Sequence, residues 1–169
     1  MTANPDLRRG FPQGRPDTAS LCALGPVLCL QAASDPHPLS GWSRAQFAAA
    51  CVQLHADGPR ESVCFFTETG EACWQLHLLP DSDFLAWSHL LDQLPSLHPD
   101  ALHARHWLAR CRQVVRPAWR ACALRLHPIP ECSGDTALAA TDVLLSPLGE
   151  ERARRIHRDI SLAPVMPAH

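Results

Sequence analysis

The sequence predicts an α+β fold in which an antiparallel sheet is flanked by helices. Three observations carry that expectation. Residues Ala72–Leu79 alternate with a two-residue period, Phe84–Leu94 repeat with a helical period, and Thr67-Glu-Thr-Gly70 supplies a turn just before the alternating run.

Taken in order, Met1–Ser20 carries Pro5, Pro12 and Pro16 and reads as a loose tail. A single domain is expected over residues 21–160, with a second tail at 161–169. Leu21–Gln31 predicts a helical turn that passes through Gly25-Pro26 into a strand, and Asp35-Pro-His-Pro38 a turn. Ser43 and Gln46 form a capping box, followed by Phe47, Ala50, Cys51 and Leu54 at helical spacing. A helix is therefore expected there, closed by Asp57-Gly58-Pro59. Ser62–Phe66 and Ala72–Leu79 predict the arms of a hairpin, with Trp74 on one face and Cys73, Gln75 and His77 on the other. Pro80-Asp-Ser82 opens a second helix, whose buried stripe is expected to be Phe84, Trp87, Leu90, Leu91 and Leu94. A third helix is expected over Asp100–Val115, with His103, His106 and Arg110 off its apolar stripe. Arg120–His127 reads as a strand, and Asp135–Leu145 and Gly149–Ile160 as helices.

Composition narrows the function classes. The 169 residues are 46% hydrophobic and 19% charged, as in a globular domain, and the net charge of −2 offers no basic field for nucleic acid. All 15 basic residues are Arg, a side chain suited to planar carboxylates as well as a common product of coding bias. The 8 cysteines contain no C-x-x-C pair, and several sit inside apolar runs, so reduced core thiols in a cytoplasmic protein are expected. Arg8-Arg9 has the look of a twin-arginine export signal, but Pro12, Pro16 and Asp17 separate it from an apolar run too short to span a bilayer. No membrane insertion is expected. Walker, Rossmann, G-x-S-x-G and H-E-x-x-H patterns are all missing. His103 and His106 with Cys111 offer three zinc donors but no fourth at conventional spacing.

A more specific reading comes from the order of short motifs. Leu24-Gly25-Pro-Val27-x-x-Leu30, Trp42 with Phe47-Ala48, Ser62-Val-Cys-Phe-Phe66, Gly70-Glu-Ala72, and Ser82-Asp83 before Ala86-Trp87 follow one another. This succession resembles the first repeat of the bacterial cytoplasmic haemin-transport and haemin-degrading proteins, over roughly residues 21–94. The resemblance implies a single haem-utilisation-type repeat, reduced between Leu30 and Trp42, with haem as ligand. Members of that family carry two repeats in one chain or one repeat that pairs as a homodimer; this length corresponds to one. Where the family has His-Lys on its second strand, this chain has Trp74-Gln75, and its later glycine-rich segment has no counterpart after Leu94. No haem ligand therefore carries over from the family.

Candidate ligands come instead from the residues themselves. Haem needs an apolar slot, an axial donor such as His, and cations for its propionates. His77, mid-strand, is the first candidate for haem iron. His103, His106 and Arg110 on one helical face are the second set. For each, a solvated polar residue is the plainer reading. With no Tyr in the chain, a tyrosinate ligand is excluded. The expected function is haem binding and transport, with a non-binding scaffold of the same fold and a haem-degrading enzyme as alternatives.

Overall fold

The computed structural model describes residues 14–97, 119–130 and 136–162. The elements run α1 (Thr18–Cys22), β1 (Pro26–Ala32), α2 (Ser40–Arg44), β2 (Phe47–His55), β3 (Gly58–Phe66), β4 (Ala72–His77) and α3 (Phe84–Asp92). They continue with β5 (Ser96–Leu97), β6 (Trp119–Pro130), β7 (Thr136–Asp142) and α4 (Pro147–Leu162). Among the described residues the strands form one sheet in the order β5-β2-β3-β4-β1-β6-β7. Every pairing is antiparallel except the short parallel contact of β5 with β2.

The hairpin predicted from Ser62 to Leu79 is present, with Ser62 opposite His77 and Cys64 opposite Gln75. The helix expected from Ser43 to Leu54 is not. That segment is strand β2, and Asp57-Gly58 sits at the turn into β3, where Gly58 takes φ +110°. The error has a physical source. Ala48, Ala49, Ala50 and Cys51 are all buried, so this inner stretch is covered on both sides and shows no two-residue alternation to betray it. An Asp-Gly pair between two apolar runs is a hairpin signal as much as a helix stop. The helix expected from Asp135 to Leu145 is likewise replaced, by edge strand β7, which pairs with β6 from Leu124↔Asp142 to Pro130↔Thr136. The helix expected over Asp100–Val115 falls outside the described residues.

Two layers cover the sheet. On one face α1, α2 and α3 enclose Val27, Cys29, Val63, Phe65, Trp74, Leu76, Leu124 and Leu126. Trp74 centres this core: its ring lies 5.0 Å from Phe65 and 6.0 Å from Trp42, and its Nε1–H donates to the Pro38 carbonyl at 3.0 Å. On the other face α4 lays Ile156 against Leu28, Leu30, Leu79 and Trp119.

Helix α3 is fixed by the Ser82-Asp83 pair. Ser82 Oγ donates to the Pro26 carbonyl and accepts from Leu79 N, while Asp83 caps the helix by accepting from Ala86 N at 2.9 Å. Trp87 and Leu90 are buried as expected, but Phe84 is 58% exposed. Gly41 marks the closest approach of α2 to β4: a Cβ there would collide with the Cys73 carbonyl and the Trp74 side chain.

Gly41→Ala is accordingly expected to lower stability by about 1–3 kcal/mol through overpacking against backbone. Phe84→Ala should shift it by less than ~0.5 kcal/mol. Urea unfolding midpoints of the two variants measure the contrast.

Candidate functional site

The face beneath α4 carries the polar chemistry. Register places Cys51 (β2), Ser62 (β3), His77 (β4) and Leu28 (β1) in one row across four strands. The adjacent row holds Ala49, Cys64, Gln75 and Leu30, and on the other side Gln53 faces Arg60. An amphipathic meander would leave such a face to solvent. Here it is covered, and Ser62, Gln75, His77 and Arg60 are buried with it, while Gln53 at the margin is exposed.

His77 is 8% exposed, and its Nδ1 has no hydrogen-bond partner. Its Nε2 lies 3.4 Å from Gln75 Oε1. An amide oxygen only accepts, so this contact assigns the ring hydrogen to Nε2 and leaves the Nδ1 lone pair open. Burial, reinforced by the positive charge of Arg60, His55 and Arg152, pushes the imidazole down to about 3. At neutral pH His77 is an uncharged base with an unused donor atom.

Arg60, itself 7% exposed, is the nearest large charge and is held by two carboxylates. It donates to Asp57 at 3.2 Å and pairs with Asp159 of α4 at 2.6 Å. Arg152 joins them by donating to Asp57 Oδ2 at 2.9 Å and to the Pro59 carbonyl at 2.8 Å. His55, in the stretch expected to be helical, ends β2 and lies 3.9 Å from Asp159. The guanidinium Nε of Arg60 also lacks a partner. An unused donor and an unused acceptor thus lie buried on one face of the sheet. The Cys51 thiol, in the row of His77, is brought down to about 7 by hydrogen bonding from Cys64, against the upward push of burial.

Of the sequence-predicted site residues, the structure places His77 in this face. His103, His106 and Arg110 lie outside the described residues, so nothing brings them to it. Arg60, Arg152 and Gln75 were missed. A pairing such as Arg60 with Asp159 leaves no local signature, whereas Gln75 was legible as the same-face neighbour of His77.

Among the described residues no group of three or more His, Cys, Asp or Glu is placed to hold a metal ion. An ion bound at His77 would have to bring its remaining ligands with it. A porphyrin iron does so, and needs from the protein an uncharged imidazole and cations for its carboxylates. The imidazole meets the first requirement, and Arg60 and Arg152 would meet the second only by exchanging the Asp57 and Asp159 carboxylates that hold them. A separate cleft of about 340 Å³ between α1 and α3, lined by Ser20, Ala23, Leu85 and His89 among others, opens on the opposite face.

Fold and site together define an α+β sheet protein with a buried, neutral histidine under its C-terminal helix. No protein-family model matches the chain, and no curated protein matches it. Solved structures do. ChuS of Escherichia coli O157:H7, a haem degrading enzyme, is similar over 52% of this chain and 35% of its own, at 18% identity and TM-score 0.38. PhuS of Pseudomonas aeruginosa, a haem-binding protein solved in its holo form, is similar over 55% and 36%, at 21% identity and TM-score 0.37. The chain therefore spans about a third of the length of either protein, and the likeness is partial, as is the resemblance read over residues 21–94. No helix among the described residues is long and apolar enough to cross a membrane.

The depressed His77 has a measurable consequence for stability. Unfolded, its imidazole titrates near the ordinary 6.5; folded, near 3. Between these values the unfolded chain binds the extra proton, so this contribution is complete above the upper value and is lost as pH falls toward the lower. At pH 5 the loss is roughly 2 kcal/mol. His77→Gln should flatten that part of the profile in urea titrations run between about pH 5 and pH 7.

Proposed function

We propose that this protein binds haem and serves intracellular haem-iron utilisation by holding or passing on the cofactor. The observation that carries the reading is the open Nδ1 lone pair of His77, buried, uncharged and flanked by guanidinium groups. His77 would hold the iron, and Arg60 and Arg152 would exchange their carboxylate partners for the propionates. When bound, haem supplies an iron centre open to exchange or redox chemistry, while the chain's part is to donate, orient and exclude water. Support also comes from the motif order over residues 21–94 and from the hairpin it requires, which forms as antiparallel strands β3 and β4. His103, His106 and Arg110 are the second ligand set, and a cytoplasmic homodimer is the assembly that a single repeat suggests.

The depth of His77 favours one competing reading. A ring only 8% exposed beneath α4 is reached only if the cover above it moves. A scaffold that keeps this fold for protein interaction and binds no haem would need no such movement.

Haemin titration of the full chain, followed by absorbance, separates the readings. A saturable Soret shift at micromolar haemin is expected, weakened about tenfold or more in His77→Ala. His77→Gln, which preserves packing better, should weaken it similarly. An unshifted band sinks the haem reading and leaves the scaffold. A shift that survives His77→Ala but vanishes in the His103→Ala/His106→Ala double variant moves the ligand to that pair. Bleaching of the band with a reductant, together with iron release, would mark a degrading enzyme.

A further inference from the structure

Cys29 on β1 and Cys122 on β6 face each other in register. Directly opposed residues of antiparallel strands have Cα atoms about 4.5–5.5 Å apart. A disulfide accepts roughly 4.4–6.8 Å. Cys122 Sγ donates to the Cys29 carbonyl at 3.9 Å, and Cys29 Sγ donates to the Pro38 carbonyl at 3.9 Å.

The two are not equivalent. Cys29 is fully buried in the core, whereas Cys122 is half-buried at its margin and within reach of small solutes. Hydrogen bonding from Cys29 lowers the Cys122 thiol, against burial and with help from Arg120. Burial, followed by the neighbouring Cys122, raises Cys29 well above the usual thiol range. The reachable thiol of the pair is also the one that ionises first.

We propose that Cys29 and Cys122 form a peroxide-responsive dithiol that closes into a disulfide between β1 and β6. The oxidant is a hydroperoxide, with hydrogen peroxide as the probe. The Cys122 thiolate attacks one peroxide oxygen, the O–O bond breaks, and the departing hydroxide takes up a proton to become water. Cys122 is then a sulfenic acid. Cys29 sulfur attacks the Cys122 sulfur, the S–O bond breaks, and the Cys29 proton leaves with the hydroxyl as a second water. In sum, two thiols and one peroxide give one disulfide and two waters, and a dithiol reductant reverses the change.

The other cysteine pair supplies an internal contrast. Cys51 opposes Ser62, and Cys64 opposes Ala49, so the two are diagonal neighbours across β2 and β3. Their thiols approach closely enough for Cys64 to hydrogen-bond to Cys51, but diagonal Cα atoms lie about 7–8 Å apart, longer than a disulfide usually spans without backbone movement. Their thiols are expected to stay reduced.

The test oxidises the full chain with hydrogen peroxide, alkylates the remaining thiols and maps them by mass spectrometry. A Cys22→Ser background keeps the Cys29 assignment unambiguous. Expected is one reducible link between Cys29 and Cys122, with Cys51 and Cys64 alkylated, and an unfolding midpoint raised by several degrees that returns on reduction. In Cys29→Ser, dimedone should trap a sulfenic acid at Cys122; in Cys122→Ser, none should appear at Cys29. The proposal is overturned if Cys29 and Cys122 stay alkylatable while other thiols oxidise. A link from either one to Cys111 or Cys132 overturns it too, as does irreversible oxidation of Cys122 beside a free Cys29.

Discussion

The whole architecture depends on β4 being covered on both sides. It lies between β3 and β1 near the middle of the sheet, and all six of its residues are buried. One side delivers Trp74 and Leu76 into the aromatic core, where each large apolar side chain contributes about 1.5–3 kcal/mol. The other side delivers Gln75 and His77, whose polar atoms would be better served by water. Helix α4 makes that second side tolerable. It adds Ile156 over β1 and sends Arg152 and Asp159 to the Asp57–Arg60 pair beside it.

The placement of α4 is itself specified by small details. Ser146 accepts from Gly149 N and so caps the helix, while Asp81 accepts from Ser146 N and Oγ, tying that cap to the loop before α3. A Cβ at Gly149 would meet the Asp81 carboxylate and push it off Ser146. Pro147 starts the helix where its missing N–H costs nothing. Asp81 and the capping Ser146 together decide how the lower face is roofed, and hence how deeply His77 is set.

Much of the fold was legible in the sequence, and the exceptions share a cause. The turn through Gly25-Pro26, the hairpin ending at His77, the Asp83-capped helix, strand β6 and helix α4 all show their local period or their punctuation. Strands β2 and β7 do not, because Phe47–Cys51 and Ala137–Ala140 are unbroken apolar runs, mostly Ala, compatible with either period. For such runs the tertiary partner decides, and the partner is invisible locally. The site divides the same way. His77 and its facing stood out from alternation alone. Its charged surroundings did not, since they are assembled from β3 and α4, far apart along the chain.

The sheet also has two kinds of seam. Strands β2, β3 and β4 follow one another through tight connections, so their pairing closes small loops. The seam between β1 and β6 joins residues as far apart as Cys29 and Cys122, 93 positions along the chain. Loop closure of that span is entropically the more expensive step, and non-local pairing slows folding. The meander can therefore assemble while the ribosome still holds the rest, but β1 must wait, its outer edge bare, until the C-terminal third has emerged. That interval is when a nascent chain of this design is most exposed to pairing with the wrong neighbour.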